Sequence, residues 1–237
     1  MMKRKLLLVV ALTLSATFTQ GWAQDAQPDY LYLLDKAMYM ERAELRMEMY
    51  ENGKMVNHYE MAFFRSGNKI RMEFTAPAAE KERRMLSDNA SLWMYLPHTS
   101  KVMKLPFGQS FMGSDASNSD LMRMNFRSDY ELVEVRKMGE ENLVALRLKA
   151  KDLEVAYPEV SLVYDTQRNV PIQQEIYSLS GELVKAIRYG DIVRQGEEYI
   201  PSTMMIKEGK NTLTRLIYSG ILKESEQPAG FFTPTSL

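Results

Sequence analysis

The sequence predicts a mainly β protein, an antiparallel sandwich or barrel of about ten or eleven strands with a few helical segments. Most of the chain alternates apolar and polar residues with a period of two, which is typical of strands that bury one face. Turn residues separate these segments at intervals of about 8–12 residues, the spacing found in all-β domains. No stretch resembles an interdomain linker, so we expect residues 24–237 to form a single domain.

The first residues have the three zones of a secretory signal peptide. Basic residues at positions 3–5 precede an apolar run at positions 6–14, which is too short to span a bilayer as a stable helix. Cleavage after Ala23 would leave Gly21 and Ala23 at the two small-residue positions. We therefore expect residues 1–23 to be removed and the mature chain to be exported. A retained membrane anchor is the alternative.

One helix is predicted at the start of the mature chain. Apolar residues between Tyr30 and Met38 recur at helical spacing, and Asp29, which follows Pro28, is suited to cap the helix. Beyond the helix the period changes to two.

The first strands are predicted as a meander. Segments 43–49, 59–63 and 70–74 alternate in polarity, and an Asn-Gly turn follows the first of them. Short strands continue as far as residue 105, and alternation resumes between residues 130 and 218.

The stretch from Pro106 to Ser119 interrupts the strand pattern, because it contains glycine, many serines and little charge. It predicts a long loop, followed by a short helix around residues 120–125. One face of the predicted sheet is apolar and has to be covered by other parts of the chain. The N-terminal helix and this helical lid segment are the candidate covers. Two covers for so large a face would leave part of it for a ligand.

Apolar side chains at alternate positions of neighbouring strands point to one face of a sheet. The candidate ligand-binding wall consists of Tyr59, Met61, Phe63, Ile70, Met72, Phe74, Trp93, Met94 and Tyr95. Trp93 and Tyr95 share one face of their strand and Met94 lies on the other, so this strand is expected to be buried on both sides. Plain core packing is the alternative to a role in binding lipid.

Methionine is abundant, with 18 residues in the chain. Its flexible thioether side chain suits a wall that repacks around ligands of variable shape. A compositional preference for methionine is the alternative explanation.

The most distinctive segment runs from Leu92 to Asp115. It contains Leu-Trp-Met-Tyr-Leu-Pro, then Lys-Val, Leu-Pro, and finally Gly-Gln-Ser-Phe-Met-Gly-Ser-Asp. This series resembles the signature of the LolA-like family of bacterial outer-membrane lipoprotein-sorting proteins. The surrounding architecture fits that family over nearly the whole mature chain. The chain departs from the family pattern Phe-Ser-Tyr-Glu-Asp-Leu at positions 116, 118 and 119, where it has alanine, asparagine and serine, whereas Ser117, Asp120 and Leu121 are retained.

The resemblance implies an open or half β-barrel closed by helices, with a cavity for acyl chains and a role as a periplasmic shuttle. Phe111 and Met112 would form the apolar tip of a lid over this cavity, with Gly108 and Gly113 as hinges. A structural plug is the alternative for this tip. The partners implied are lipid or lipoprotein acyl chains, an inner-membrane transporter and an outer-membrane acceptor.

Composition excludes several other classes of protein. The chain has 30 basic and 31 acidic residues, a balance that argues against nucleic acid as a partner. It has no cysteine, which excludes disulfides, cysteine-zinc sites and thiol catalysis. His58 and His98 are its two histidines, so most histidine-based sites are out of reach. We expect no metal site and no cofactor.

Ser110 is the one candidate nucleophile, because residues 108–110 begin like the nucleophile elbow of hydrolases. That motif needs glycine two residues after the serine, and Met112 occupies this position. A serine nucleophile also needs a base, and neither His58 nor His98 is flanked by an acid that would complete a triad. We therefore expect no catalytic residue.

These observations favour a monomeric, non-enzymatic carrier that binds acyl chains for outer-membrane sorting. Transfer would be driven by burial of apolar surface, at about 0.8 kcal/mol for each methylene. The alternative is a periplasmic structural or accessory subunit of an efflux or lipid-transport complex.

Overall fold

The computed structural model describes residues 27–123 and 125–237. The predicted signal peptide, residues 1–23, lies outside the described residues. Most of the described chain is antiparallel β-structure, as the sequence predicts.

Thirteen strands form one sheet. Their bounds are β1 Arg42–Glu51, β2 Lys54–Ser66, β3 Lys69–Ala76, β4 Arg84–Ser87, β5 Leu92–Leu96, β6 Lys101–Leu105, β7 Tyr130–Lys137, β8 Leu143–Ala150, β9 Glu159–Asp165, β10 Val170–Tyr177, β11 Leu183–Gln195, β12 Glu198–Lys207 and β13 Thr212–Leu222. The total exceeds the expected ten or eleven, and the short strands expected before residue 105 are present as β4, β5 and β6.

The strand order is β6-β5-β4-β3-β2-β1-β13-β12-β11-β10-β9-β8-β7. The first six strands and the last seven therefore form two meanders, which join where β1 pairs with β13. The strands β6 and β7 are the two edges, so the sheet is not closed into a barrel. This open, mainly antiparallel sheet confirms the expected half-barrel.

The predicted N-terminal helix is present as α1, Tyr30–Ala37. The backbone N–H of Tyr32 donates to Asp29 Oδ1 at 3.0 Å, so Asp29 caps the helix as expected. The helix α1 lies against β10 and β12, and Leu34 is fully buried there.

Two short helices, α2 Asn118–Met122 and α3 Phe126–Asp129, replace the single helix expected around residues 120–125. The helix α2 begins early because Ser117 and Asp120 form a reciprocal capping box. The helix α3 begins where the Asp35 carboxylate accepts hydrogen bonds from the N–H groups of Phe126 and Arg127, at 2.6 and 3.0 Å. A final 3₁₀ turn spans Pro234–Ser236.

The inner face of the sheet is the one covered by α1 and by the lid segment, residues 106–123. Seven of the nine predicted wall residues are buried on this face: Tyr59, Met61, Phe63, Ile70, Met72, Phe74 and Met94. The lid segment covers them in part, since the Phe111 ring stacks on Phe74 with ring centroids 6.2 Å apart. These seven side chains and Phe111 belong to one apolar core cluster, and binding of a ligand by them stays a prediction.

Trp93 and Tyr95 do not belong to this wall. Register pairs Trp93 with Lys104 and with Leu86, whereas Met94 pairs with Met85 on the inner face. Because side chains alternate along a strand, Trp93 and Tyr95 lie on the outer face. Their rings are covered there by cations, with the Lys104 ammonium 5.5 Å from the Trp93 ring and the Arg84 guanidinium 4.5 Å from the Tyr95 ring.

The C-terminal residues cover part of the outer face. Arg71, which is buried, donates from Nη1 to the Phe231 carbonyl at 2.8 Å and to the Ser236 hydroxyl at 2.7 Å. The Arg71 guanidinium also lies 4.3 Å from the Phe231 ring. Arg84 of β4 also donates to the Ser236 carbonyl, at 3.3 Å, so this packing explains why β3 and β4 have buried residues on both faces.

A row of methionines crosses the inner face from β3 to the edge strand β6. Met72 pairs with Met85, Met85 with Met94, and Met94 with Met103. Directly opposed side chains of an antiparallel sheet lie on the same face.

We expect Met72→Ala to lower the free energy of unfolding by about 2–5 kcal/mol, because Met72 is fully buried and its truncation leaves a cavity. Met103→Ala is the matched control, since Met103 belongs to the same row but is 46% exposed. It should change stability by no more than about 0.5 kcal/mol. Urea unfolding of both variants measures the difference, and equal losses would contradict a packed inner face.

Candidate functional site

A small cavity of about 70 Å³ remains between the sheet and its covers. Its lining consists of Met38, Ser119, Asp120, Arg123, Asn125, Phe126, Asp129, Tyr130, Val155, Ala156, Tyr157, Gln174, Ile187, Tyr189 and Met204. The sheet contributes residues of β7, β10, β11 and β12. The rest come from the lid segment, α3 and its cap Asn125, the loop at residues 151–158, and Met38 at the end of α1. A cavity of this size holds a few water molecules but no acyl chain.

None of the nine predicted wall residues lines this cavity. The prediction concentrated on strands β2, β3 and β5, whereas the cavity lies over the second meander. The same alternating pattern is present there, with Ile187 and Tyr189 two residues apart on β11 and Met204 on the neighbouring strand. The apolar pattern alone does not distinguish a packed half of the sheet from a half that leaves space.

A polar latch borders the cavity and consists of Ser117, Asp120, Tyr157 and Lys185. Lys185 Nζ lies 2.8 Å from Asp120 Oδ2 and 2.8 Å from the Tyr157 hydroxyl. The Tyr157 hydroxyl donates to Asp120 Oδ1 at 2.7 Å, and Ser117 Oγ lies 2.8 Å from it. The latch thus joins the lid segment, the 151–158 loop and β11, which are far apart in the sequence.

The latch is almost completely shielded from water. The side chains of Lys185 and Asp120 are 4% and 3% exposed. Glu208 supplies a second carboxylate at the rim, 3.7 Å from Lys185 Nζ. Buried charges persist only when they are paired and hydrogen-bonded, and every member of this cluster is.

The raised pKa of Lys185 keeps its ammonium group charged. Burial opposes the positive charge of Lys185, but the Asp120 carboxylate and the Tyr157 hydroxyl outweigh it, so the pKa of Lys185 is raised. Burial, followed by the nearby Asp120 carboxylate, raises the pKa of Tyr157 to about 12. At neutral pH Tyr157 is therefore a neutral donor to a carboxylate that is also paired with an ammonium.

A second polar anchor holds the lid segment to β13. Thr212 Oγ1 donates to Asp115 Oδ1 at 2.7 Å, and the Asp115 N–H donates to Thr214 Oγ1 at 2.9 Å. Asp115 is the last residue of the distinctive segment identified in the sequence. Together with the latch, it attaches the lid segment to the second meander at two separate points.

The predicted lid tip is a compact turn. Phe111 is buried against Phe74, and Met112 is half-buried with Sδ 3.1 Å from Arg83 Nη1. Met112 and Gly113 both have positive φ, at 53° and 75°. Such backbone favours glycine, which explains the glycine at position 113. The proposed gating by this tip stays a prediction.

Ser110 does not adopt the arrangement of a nucleophile. Its hydroxyl donates to the Ser114 carbonyl at 2.6 Å, within the lid segment. His98 Nε2 lies 3.3 Å from the Ala79 carbonyl, and His58 is on β2. In residues 27–123 and 125–237, no group of three or more histidines or acids is arranged to hold a metal ion.

Sequence reasoning missed the latch, although one signal was present. Lys185 occupies an inward position of β11, two residues before the buried Ile187. A lysine among the inward-facing, otherwise apolar positions of a strand indicates a buried partner of opposite charge, since unpaired buried ammonium groups are rare. Its partner Asp120 lies 65 residues away in the sequence.

None of the described helices is long and apolar enough to cross a membrane.

Comparison with known proteins identifies the fold. A family model described as that of an uncharacterized protein matches residues 66–237. A LolA superfamily protein from Nitrosomonas europaea has a similar structure, with a TM-score of 0.77 at 24% identity over 88% of this chain and 97% of its own. No curated protein matches the chain.

Two further solved structures share this architecture. A DUF1329 family protein from Desulfovibrio piger has a TM-score of 0.75 at 18% identity, covering 88% of this chain and 96% of its own. A domain described as an outer membrane lipoprotein-sorting protein, from Vibrio parahaemolyticus, has a TM-score of 0.70 at 18% identity, covering 82% and 89%. At such identities the likeness establishes a common fold.

We expect Lys185→Met to lower the free energy of unfolding by about 3–5 kcal/mol, because it leaves the Asp120 carboxylate buried without its cation. The double variant Lys185→Met/Asp120→Asn should recover most of this loss, since both partners are then neutral. Lys149→Met, at an exposed position of β8, is the control and should be nearly neutral. Urea unfolding measures the stability of all three variants. If Lys185→Met is as stable as the Lys149→Met control, the latch does not stabilise the fold.

The contribution of the latch should not vary near neutral pH. Because the pKa of Lys185 is raised above its usual 10.5, the stabilisation from its charge is fully present below that value and is lost as pH rises through the folded pKa. The difference in unfolding free energy between the parent and Lys185→Met should therefore be constant between about pH 6 and about pH 9. A difference that shrinks within this interval would contradict the assignment.

Proposed function

We propose that this protein is a non-enzymatic periplasmic carrier that binds lipid or lipoprotein acyl chains. The chain belongs to the protein family whose model matches residues 66–237, and it folds as the LolA superfamily does. The observation that carries this proposal is the cavity, which lies between an apolar sheet and covers attached by two polar anchors. Such an arrangement suits a compartment that opens for an apolar ligand and closes when it is empty.

The volume of the cavity implies that binding requires movement. At about 70 Å³ the cavity is too small for an acyl chain, so the proposed carrier has to widen it before a chain can enter. An acyl chain would enter by separating the covers from β11 and β12 and would take the place of protein side chains on the inner face. The lid tip at Phe111 and Met112 would move with the lid segment.

Burial of the ligand can provide the energy for opening. An acyl chain that buries about ten methylenes gains about 8 kcal/mol. Breaking the latch costs about 3–5 kcal/mol if one partner stays buried, and less if both partners become hydrated. Binding and opening are therefore of comparable free energy, which permits release to an acceptor that binds the chain better.

Three observations support the absence of a chemical step and the proposed location. The Ser110 hydroxyl is bonded within its own loop, and the two histidines lie on β2 and in a turn. The predicted signal peptide at residues 1–23 supports export of the mature chain. The description of the Vibrio parahaemolyticus relative as an outer membrane lipoprotein-sorting protein supports an outer-membrane destination, with a transporter and an acceptor as partners.

We expect Met204→Gln to weaken binding of a fluorescent palmitate analogue about tenfold, because it places an amide against the acyl chain with no polar partner. Met204 lines the cavity and is buried, so its side chain would contact the ligand. Met205→Gln is the matched control, since Met205 is the next residue of β12 and its side chain lies on the outer face. Fluorescence titration of the mature protein measures both affinities.

Equal affinities for the two variants, with urea unfolding showing both folded, would exclude this cavity as the acyl site. Native mass spectrometry with lipid extraction provides an independent check, because a carrier recovered from the periplasm should retain lipid. A parent protein that retains no lipid and binds no palmitate would favour the accessory-subunit alternative.

A further inference from the structure

An open groove of about 650 Å³ lies on the surface between the 151–158 loop and the turn at residues 178–182. Leu153 and Leu179 at its rim are 94% and 83% exposed, more than any other large apolar side chain in the described residues. Leu183 and Val184, which follow the turn, are exposed as well. Exposed apolar residues that cluster at a groove, unlike scattered ones, mark sites of interaction.

The groove and the internal cavity share one wall. Val155 and Ala156 line both of them, so a single segment of chain separates the surface groove from the apolar cavity. An apolar ligand that occupies the groove is therefore adjacent to the cavity, with only the 151–158 loop between the two.

The 151–158 loop is attached mainly at its ends. The Ala150 N–H donates to the Pro158 carbonyl at 2.9 Å, and the Lys151 N–H donates to the Asp129 carbonyl at 2.9 Å. Within the loop, the Glu154 N–H donates to Asp152 Oδ1. Near the end of the loop, Tyr157 also belongs to the latch. The lid segment is held by the latch as well, and in addition by Asp115 and by the buried Phe111 ring. Moving the loop therefore disrupts fewer contacts than lifting the lid segment.

We propose that the 151–158 loop is the portal for the acyl chain, and that Leu153 and Leu179 are the first apolar surfaces the chain contacts. The inference rests on the proposed function and names the route by which its ligand enters. Movement of the loop also withdraws the Tyr157 hydroxyl from Asp120 and Lys185, so entry through the portal loosens the latch. The proposed occupant of the groove is an acyl chain, because exposed leucines lie at its rim and only the 151–158 loop separates it from the cavity proposed to bind the chain.

The absence of cysteine from the chain permits a direct test. Leu179→Cys introduces a single thiol at the rim, and Leu222→Cys introduces one at a half-exposed position of β13 as the matched control. Each variant is coupled to a large polyethylene-glycol maleimide, and the uncoupled variant serves as its own reference. Stopped-flow fluorescence then gives the association and dissociation rates of the palmitate analogue.

A blocked portal slows entry and exit alike. We expect the polymer at position 179 to reduce both rates at least about tenfold while the dissociation constant changes less than about twofold. The polymer at position 222 should leave both rates unchanged. Coupling the polymer at position 179 after loading should trap the bound probe.

Unchanged rates with the polymer at position 179, in a protein that binds the probe, would overturn the portal and leave the carrier function intact. A change in the dissociation rate alone would also overturn the portal, because position 179 would then belong to the binding site and not to the route of entry. A parent protein that binds no palmitate analogue would overturn the carrier function and the portal together.

Discussion

The ion pair between Asp120 and Lys185 determines how the covers lie on the sheet. The contacts of Phe111 and Leu121 with the inner face are apolar and tolerate small shifts in position. An ion pair shielded from water, in which each partner is also hydrogen-bonded, has one productive geometry. Because Tyr157 completes the cluster, the lid segment and the 151–158 loop are held in register with β11 and with each other. The closed arrangement thus depends on a polar contact inside an apolar interface.

The distinctive segment from Leu92 to Asp115 has a clear mechanical role. It contains the two short strands β5 and β6 and then turns back over the inner face, where Phe111 packs and Asp115 reaches β13. The stretch at residues 116–119, which departs from the family pattern, contains the Ser117 cap of α2. Ser117 and Asp120 are both retained from that pattern, and the cap orients Asp120 toward Lys185, so the departure at the other positions leaves the latch residues unchanged.

The alternation of apolar and polar residues was sufficient to predict most of the fold, but it was not sufficient to predict the candidate site. Alternation predicted the strands, and it placed Met72 and Met94 on the buried face, because a strand has a side-chain period of two. It could not place Trp93 on the outer face, since β5 is apolar on both of its faces and the cations that lie over Trp93 and Tyr95 come from the neighbouring strands. The latch was also out of reach, because the pairing of Asp120 with Lys185 depends on how the two meanders join. The lysine in the apolar phase of β11 was the only local indication.

The row of methionines from Met72 to Met103 has a chemical consequence wherever an oxidant is present. Oxidation converts a thioether to a polar sulfoxide, and a buried thioether is shielded from dissolved oxidants. Met103, on the edge strand, is accessible at all times, whereas Met72, Met85 and Met94 become accessible only when the covers leave the inner face. In the proposed carrier, sulfoxide at these three side chains would accumulate with the time that the inner face has spent uncovered, and it would be a chemical record of how often each molecule has opened.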